Sequence, residues 1–337
     1  MRSTDRLRPP RLSGIRARLA FVLATLAAVH AFATGSSAPT WQCAADLPRG
    51  CAFPNQTPQL IGRKLYLLAG ANYRIDQLLT YDLDTGIWST KPTALLTSRH
   101  HFATAVFGGK LYVAGGCLGE SDAVPHRRTD AVESYDPATE LWTPRSPMPL
   151  AREGCDLVPF ENELLAIGGT DKADVPINRI EAYDPTSDTW RVKAIAPWRE
   201  PLMWTHAVVH CQRIYVFGRT QSAIFFLAYD PSANTFTELP VGRIAEKRAY
   251  GTALAGDVLL LVGGAQKAPV ATVVGYDLAQ DRWGEYPALP QPRAYAAVTQ
   301  FEKRIFCMGG TGPDWDWVHP NTSVFVLELP PPPASTN

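Results

Sequence analysis

One interval constrains the fold of this chain more than any other feature. A Tyr-Asp pair stands seven residues before a large aromatic residue, and this arrangement occurs five times. The paired positions are Tyr81 and Trp88, Tyr135 and Trp142, Tyr183 and Trp190, Tyr229 and Phe236, and Tyr276 and Trp283. Six apolar stretches accompany these pairs and end at Gly70, Gly116, Gly169, Gly218, Gly264 and Gly310. A long repeat with several short strands per unit indicates a propeller or a solenoid.

Each unit is predicted to contain four strands. In the second unit, Gly108-Gly109 is a two-residue hairpin signal between the first strand and the second. The second strands are almost continuously apolar, which is typical of strands buried on both faces. The segment from the glycine to the tyrosine varies from 11 residues after Gly70 to 19 after Gly116. Variation therefore concentrates in the loop between the second and third strands, where binding surfaces are often carried.

The spacing of the aromatic residues predicts how many units there are. The strand-ending glycine lies 27 or 28 residues after each of the five aromatic residues, and Gly70 lies 29 residues after Trp41. Trp41 thus resembles a fourth-strand tryptophan with no unit before it, whereas Ser323–Leu329 resembles a third strand with no tryptophan after it. The sequence predicts that Thr40–Ala44 supplies the outermost strand of the last sheet, which removes exposed sheet edges.

The Gly-Gly, Tyr-Asp and Trp elements together resemble the kelch motif, and the resemblance extends from Trp41 to Leu329. It implies an all-β fold: a six-bladed kelch β-propeller whose last blade is closed by an N-terminal strand. The fourth unit departs from the motif, because Gly218-Arg219 replaces Gly-Gly and Phe236 replaces tryptophan. Kelch domains of this kind imply binding to other proteins.

Residues 1–33 are predicted to be a secretory signal peptide. Six arginines within the first 18 residues precede an apolar run, Leu19–Ala33, that ends in the small-x-small order Ala31-Phe32-Ala33. The run is shorter than the ~20 residues of a membrane helix, although an uncleaved anchor is the alternative. We expect a secreted or periplasmic protein with no membrane span after cleavage, a single propeller over residues 34–330 and a Pro-rich tail over 331–337.

The net charge limits the classes of partner that the chain can bind, and the cysteine spacing limits the kinds of metal or disulfide site that it can form. Without residues 1–33 the chain keeps 26 basic and 31 acidic residues, a net charge of −5, which argues against a nucleic-acid partner. The cysteines show no metal-binding spacing and no dense disulfide pattern, and no cofactor is predicted. The sequence does not decide whether Cys43 bridges to Cys51 or Cys117 to Cys155. Cys307 is expected in the core.

An arginine recurs near one rim of the predicted channel, 16 to 19 residues before the strand-ending glycine. These candidate ligand-binding residues are Arg99, Arg152, Arg199, Arg248 and Arg293, and His101, Trp204, Tyr250 and Tyr295 lie beside them. Arginine suits a carboxylate-bearing ligand because its planar fork binds carboxylates through two hydrogen bonds. The alternative is that the arginine belongs to the repeat and pairs with glutamates or carbonyls between sheets.

Two tryptophans, Trp315 and Trp317, are predicted in the loop between the second and third strands of the last unit, beside Asp314, Asp316 and His319. Exposed tryptophans in such a loop would stack on a sugar or anchor a partner. The alternative is that their rings fold back over the sheet.

Two functions follow from this pattern. The first is a binding module that presents one loop face to a protein or glycan partner. The second is an enzyme, since Arg248-Ala-Tyr250 and Arg293-Ala-Tyr295 resemble the exported sialic acid mutarotase/epimerase type of kelch propeller. That resemblance implies arginines that hold the sugar carboxylate and proton transfer by Glu153, Glu200 or Glu246.

One structural criterion separates the two functions. A glutamate and two arginines around a pocket of ~300 Å³ or more would favour the enzyme. A channel mouth filled by arginine–glutamate pairs, with exposed aromatics on the loops between the second and third strands, would favour the binding module, which is the function we expect.

Overall fold

A computed structural model describes residues 39–51, 57–71, 74–92, 98–118, 127–198, 203–219, 224–242 and 248–329. The predicted signal peptide and the predicted tail lie outside these residues. The described part contains 27 β-strands. In chain order they are β1 (Trp41–Cys43), β2 (Gln59–Ile61), β3 (Lys64–Ala71), β4 (Arg74–Asp82), β5 (Ile87–Pro92), β6 (Arg99–His100), β7 (Ala103–Phe107), β8 (Lys110–Ala114), β9 (Cys117–Leu118), β10 (Arg127–Arg128), β11 (Val132–Asp136), β12 (Leu141–Arg145), β13 (Glu153–Phe160), β14 (Glu163–Thr170), β15 (Arg179–Asp184), β16 (Thr189–Ile195), β17 (Met203–His210), β18 (Arg213–Arg219), β19 (Ile224–Asp230), β20 (Thr235–Glu238), β21 (Gly251–Ala255), β22 (Val258–Val262), β23 (Val273–Asp277), β24 (Arg282–Tyr286), β25 (Ala297–Phe301), β26 (Arg304–Met308) and β27 (Val324–Glu328).

Six four-stranded antiparallel sheets, numbered here in chain order, form the fold. Sheets 1 to 5 run in chain order from the first to the fourth strand: β2 to β5, β7-β8-β11-β12, β13 to β16, β17 to β20 and β21 to β24. Sheet 6 has the order β25-β26-β27-β1, so its outermost strand comes from the opposite end of the described chain. The architecture confirms the prediction of a six-bladed β-propeller.

The N-terminal strand occupies the position that the sequence predicts. Trp41 pairs with Leu327 and Cys43 with Phe325 in the antiparallel register of β1 with β27. The Trp41 indole N–H donates to the Pro287 carbonyl at 2.8 Å, across 246 positions of sequence. The same bond in three other sheets spans only 43 or 44 positions. Its donors are Trp88, Trp190 and Trp283, and its acceptors are the carbonyls of Ala45, Ser146 and Pro240. Trp41 is therefore the fourth-strand tryptophan of sheet 6.

The fixed Tyr-to-Trp interval has a direct cause in strand register. In sheet 2, Tyr135 and Trp142 are opposite each other on β11 and β12, and their ring centroids are 5.2 Å apart. The aspartate after the tyrosine closes the intervening turn, because the Asp136 carboxylate accepts the Ala138 N–H at 2.9 Å. Each unit therefore repeats both an aromatic pair and the turn that creates it.

The hydrophobic core consists of clusters between successive sheets. Ile167 of sheet 3 packs in one cluster with Val216 of sheet 4, and Phe217 of sheet 4 packs in another with Leu261 of sheet 5. A further cluster joins sheet 6 to sheet 1 and includes Phe306 and Leu65. The apolar second strands are buried because each sheet covers its neighbours on both sides.

The glycine that ends the second strand permits a close backbone approach. Gly116 has φ +104°, and a Cβ there would lie 2.6 Å from the His100 carbonyl oxygen. Beyond this point β9 pairs with β6 and β10 in a small three-stranded sheet. Arg99 and His100 of β6, two of the rim residues, thus pair outside the four-stranded sheet of their unit.

All six cysteines are free, so neither disulfide that the sequence left open is formed. Cys43 is exposed whereas Cys51 is buried, and Cys117 and Cys155 are both buried thiols. Cys307 lies in the core as predicted. Over the described ranges, no helix combines the length and apolarity needed to cross a membrane.

Candidate functional site

Three of the five rim arginines are enclosed by protein. Arg99, Arg152 and Arg293 each lie 17 residues before the strand-ending glycine, and their exposed fractions are 0%, 0% and 2%. Arg99 donates to Glu133 Oε1 at 2.6 Å and to the Val113 carbonyl. These arginines belong to the repeat, so the prediction that they bind a ligand is corrected by their burial.

The other two enclosed guanidinium groups also donate to protein groups, but only one of them has an acidic partner among the described residues. Arg152 forms an ion pair with the fully buried Glu181 and donates to the Gly168 carbonyl at 3.3 Å. Arg293 instead donates to the Ser323 hydroxyl at 2.5 Å, to the Gln291 side-chain oxygen and to the Pro292 carbonyl. Burial lowers the pKa of Arg293.

Arg248 differs from these three by one register position. Arg248 forms a β-bridge with Ala265, the residue directly after the strand-ending glycine. In sheets 6 and 3 the residues directly after that glycine, Thr311 and Thr170, pair with Ala294 and Glu153, which follow Arg293 and Arg152 in the sequence. Arg248 therefore matches the position after the repeat arginine, and its side chain is exposed. Arg199 lies outside the described residues.

The exposed Arg248 lies beside an aromatic patch, which we define as Tyr295, Trp315 and Trp317. The Tyr295 ring centroid is 4.7 Å from that of Trp317 and 6.4 Å from that of Trp315, and the two tryptophans stack at 6.4 Å. All three are half-buried. Burial raises the pKa of Tyr295, and the positive charge of Arg248 opposes this rise. The structure thus brings together four of the predicted site residues at one rim.

The loop that carries the two tryptophans is ordered by a carboxylate. Asp316 accepts the N–H groups of Val318 and His319 at 2.9 and 2.8 Å and contacts the His319 ring at 3.2 Å. These bonds hold the backbone between Trp315 and Trp317 in a turn. Asp314 is exposed.

Two other aromatic candidates do not join the patch. Tyr250 is buried, and its ring lies 5.2 Å from His206 and 6.2 Å from Phe217. A side chain enclosed between rings cannot contact a ligand, so the ligand-binding prediction for Tyr250 is corrected. The Trp204 side chain lies outside the described part of the structure.

Glu153 lies in a second cluster at the rim, between sheets 2 and 3. It contacts His101 Nδ1 at 3.4 Å and accepts from Arg128 Nε at 2.9 Å, and Arg128 also binds Asp174 at 2.5 Å. Burial alone would raise the pKa of Glu153, but His101 and Arg128 outweigh it and lower the pKa to about 2. His101 is itself buried, with its ring 4.3 Å from that of His100.

This electrostatic environment does not suit the role of a general acid. A general acid needs a pKa near the working pH, and Glu153 stays ionised far below neutrality. Glu200 and Glu246 lie outside the described residues.

The inner strands of the six sheets surround a channel with a cavity of about 300 Å³. Each sheet contributes at least one residue to its wall. Among these residues are Gln59, Thr104, Asp156, Ala207, Thr252 and Thr299. No arginine or glutamate is among the described lining residues, so the criterion for the enzyme is not met there. The Arg99–Glu133 and Arg152–Glu181 pairs are present but buried, and the loop tryptophans are half-buried, so the criterion for the binding module is met only in part.

Asp156 is the site residue that sequence reasoning missed. Its carboxylate accepts the N–H of Ala207 at 2.7 Å and that of Leu157 at 2.8 Å. Burial raises the pKa of Asp156 to about 7, and the two backbone N–H groups oppose this rise. A comparison of the inner strands with one another would have found it, because other sheets carry alanine or glycine at its position.

In the described part of the chain, no group of three or more His, Cys, Asp or Glu side chains is arranged to hold a metal ion.

Comparison with known proteins agrees with this architecture. The Kelch motif model matches residues 98–149 and 151–194. These two segments of the chain therefore match the Kelch motif. The chain is 29% identical to Kelch-like protein 25 of Xenopus tropicalis over 240 residues, covering 68% of the chain and 40% of that protein. It is 26% identical to Kelch-like protein terF of Aspergillus terreus over 249 residues, covering 67% and 54% respectively.

The chain thus spans about half, or less, of the length of these curated relatives. Among solved structures it resembles that of YjhT, with a TM-score of 0.69, 15% identity, and coverage of 85% of this chain and 99% of YjhT. At this identity the likeness concerns the fold alone.

Proposed function

We propose that this kelch-repeat chain is a secreted or periplasmic binding module whose rim holds a protein or glycan partner at the aromatic patch. The observation that carries the proposal is the contact of Trp315 and Trp317 with Tyr295, next to the exposed Arg248. Large aromatic rings and arginine are the residues most often found at the energetic centres of interfaces. The guanidinium would select partners that present a carboxylate beside an apolar or sugar surface.

The experiment is a binding screen of the protein on immobilised acidic peptides and on neutral and acidic glycans. Each bound member is then titrated against Trp317→Ala and Arg248→Gln. We expect Trp317→Ala to weaken binding at least tenfold, and Arg248→Gln to weaken only the carboxylate-bearing ligands. Val318→Ala is the matched control, because Val318 is 56% exposed in the same loop and is not part of the patch. Equal binding by Trp317→Ala and wild type, or no bound member at all, would contradict the proposal.

Export is a separate part of this proposal and has its own experiment. It is supported by the order of six arginines, an apolar run and small residues in the first 33 positions. N-terminal sequencing of the protein released from expressing cells should begin at about Thr34. A protein that keeps its first residues and stays with the cell would contradict export and leave the binding result intact.

A mutarotase that acts on an acidic sugar is the second candidate, and the exposed Arg248 beside Tyr295 is the observation in its favour. Arg293, the other arginine of the Arg-Ala-Tyr pair, is buried and bound to Ser323. Magnetisation-exchange NMR of N-acetylneuraminate measures the rate of anomer interconversion directly. A rate that rises with protein concentration and falls in Arg248→Gln would establish the enzyme, and an unchanged rate would exclude it.

A further inference from the structure

One inner strand carries a carboxylate where other sheets carry the smallest side chains. This position lies on the first strand of a sheet, opposite the second-strand residue that stands two positions before the strand-ending glycine. In sheets 2, 4, 5 and 6 the residue at this position is Ala103, Ala207, Gly251 or Ala297, and in sheet 3 it is Asp156. The propeller therefore forms in four sheets without a polar side chain at this position, and Asp156 is an addition that the repeat does not require.

The surroundings of Asp156 leave its carboxylate able to accept further hydrogen bonds. Each oxygen accepts one backbone N–H, from Ala207 or from Leu157. A carboxylate has about four acceptor positions, so the two recorded bonds use about half of them. Burying an ionised carboxylate is costly unless a partner compensates its charge, and burial here raises the pKa of Asp156 to about 7.

The channel around Asp156 is polar but otherwise uncharged. Its described wall presents the hydroxyls of Thr104, Thr252 and Thr299 and the amides of Gln59 and Gln300, and Asp156 is the single ionisable residue among the described lining residues. A volume of about 300 Å³ is within the range of small-molecule sites. Hydroxyl and amide groups that surround one carboxylate are suited to a cation that also carries hydroxyl groups.

We propose that the channel is a binding site for a small polyhydroxylated ammonium compound, of the amino-sugar or amino-polyol class. Asp156 is the counter-ion of the ammonium group, and the threonine and glutamine side chains bind the hydroxyls. A carboxylate-bearing sugar is disfavoured there, because its charge repels that of Asp156. The site is separate from the aromatic patch and does not depend on the function proposed for it.

The proposal predicts a characteristic pH dependence. The ammonium group binds the ionised form of Asp156, which becomes less populated as the pH falls below about 7. The dissociation constant should therefore rise about tenfold for each pH unit below the pKa. At neutral pH, binding should release protons, because the ligand converts protonated Asp156 into its ionised form.

Three matched probes test the charge preference by isothermal titration calorimetry: N-methylglucamine, sorbitol and gluconate. They share a chain of hydroxyl groups and differ at the end of that chain, which is cationic, neutral or anionic. We expect N-methylglucamine to bind at least tenfold more tightly than sorbitol at about pH 8, and gluconate to bind more weakly than sorbitol. Repeating the titration in buffers with different ionisation enthalpies measures the released protons.

Asp156→Asn and Asp156→Ala are the test variants, and both should fold because alanine occupies this position in three other sheets. In both, the advantage of N-methylglucamine over sorbitol should disappear, together with the pH dependence. Glu153→Gln removes a carboxylate outside the channel and should leave the preference unchanged. The proposal is overturned if N-methylglucamine binds no better than sorbitol, or if both Asp156 variants keep its preference.

Discussion

The buried ion pair of Arg99 with Glu133 shows how a single residue contributes to the stability of the fold. The Arg99 guanidinium is fully enclosed and donates to Glu133 Oε1 at 2.6 Å. Removing one partner of such a pair leaves an uncompensated charge in a region of low dielectric constant, which is more costly than losing both charges. The pair therefore stabilises the fold only while both members are present.

We expect Arg99→Met to lower the free energy of unfolding by about 3–5 kcal/mol, and the double variant with Glu133→Leu to recover most of this loss. Urea unfolding followed by circular dichroism measures both values. Arg191→Met is the matched control, since Arg191 pairs with Glu163 on the surface with 57% of its side chain exposed, and it should cost less than about 1 kcal/mol. Equal losses in the single and double variants would show that packing, rather than charge, governs this position.

At the scale of a structural element, β1 is the strand that completes sheet 6. Trp41 is buried in the cluster between sheets 5 and 6, whereas Gln42 and Cys43 are exposed. Trp41→Ala should lower the free energy of unfolding by about 3–5 kcal/mol, because it removes a buried ring and the bond to Pro287. Gln42→Ala, one residue further along the same strand, should change it by less than about 0.5 kcal/mol. A similar loss in both variants, measured by chemical unfolding, would contradict this account of β1.

The elements that sequence reasoning predicts best are those fixed by register. The interval from Tyr135 to Trp142 is constant because the two residues face each other across a short turn. Trp41 is recognisable because its distance to Gly70 is close to that between the other fourth-strand aromatic residues and their glycines. Such local geometry recurs along the chain and is therefore visible in one sequence.

The rim is less predictable because it depends on a register shift and on burial. Arg248 resembles the other arginines in spacing, yet its bridge to Ala265 places it one position later and leaves it exposed. Burial of Arg152 is determined by its pairing with Glu181, which lies 29 residues away on another strand. The aromatic patch was predicted residue by residue, whereas its contact with Tyr295 required the fold.

For the whole molecule, Asp156 and His206 should give stability opposite dependences on pH. Asp156 has a pKa raised to about 7, so the folded state binds more protons than the unfolded state between about pH 4 and 7, and stability falls as the pH rises through that range. His206 is stacked on Phe217 and Tyr250, and burial lowers its pKa to about 4. The unfolded state therefore binds more protons between about pH 4 and 6.5, and this contribution rises with pH.

The two slopes should largely cancel in the wild type between about pH 4.5 and 6.5, where each has an upper limit of about 1.4 kcal/mol per pH unit. Asp156→Asn should then become more stable as the pH rises, and His206→Phe, which keeps an aromatic ring between Phe217 and Tyr250, should become less stable. The double variant should return to a flat profile. Glu153, with its pKa lowered to about 2, acts mainly below about pH 4.5 and leaves this window unaffected. Urea unfolding midpoints measured across this pH range test the prediction. If the stabilities of the two single variants changed in the same direction with pH, the prediction for both Asp156 and His206 would be wrong.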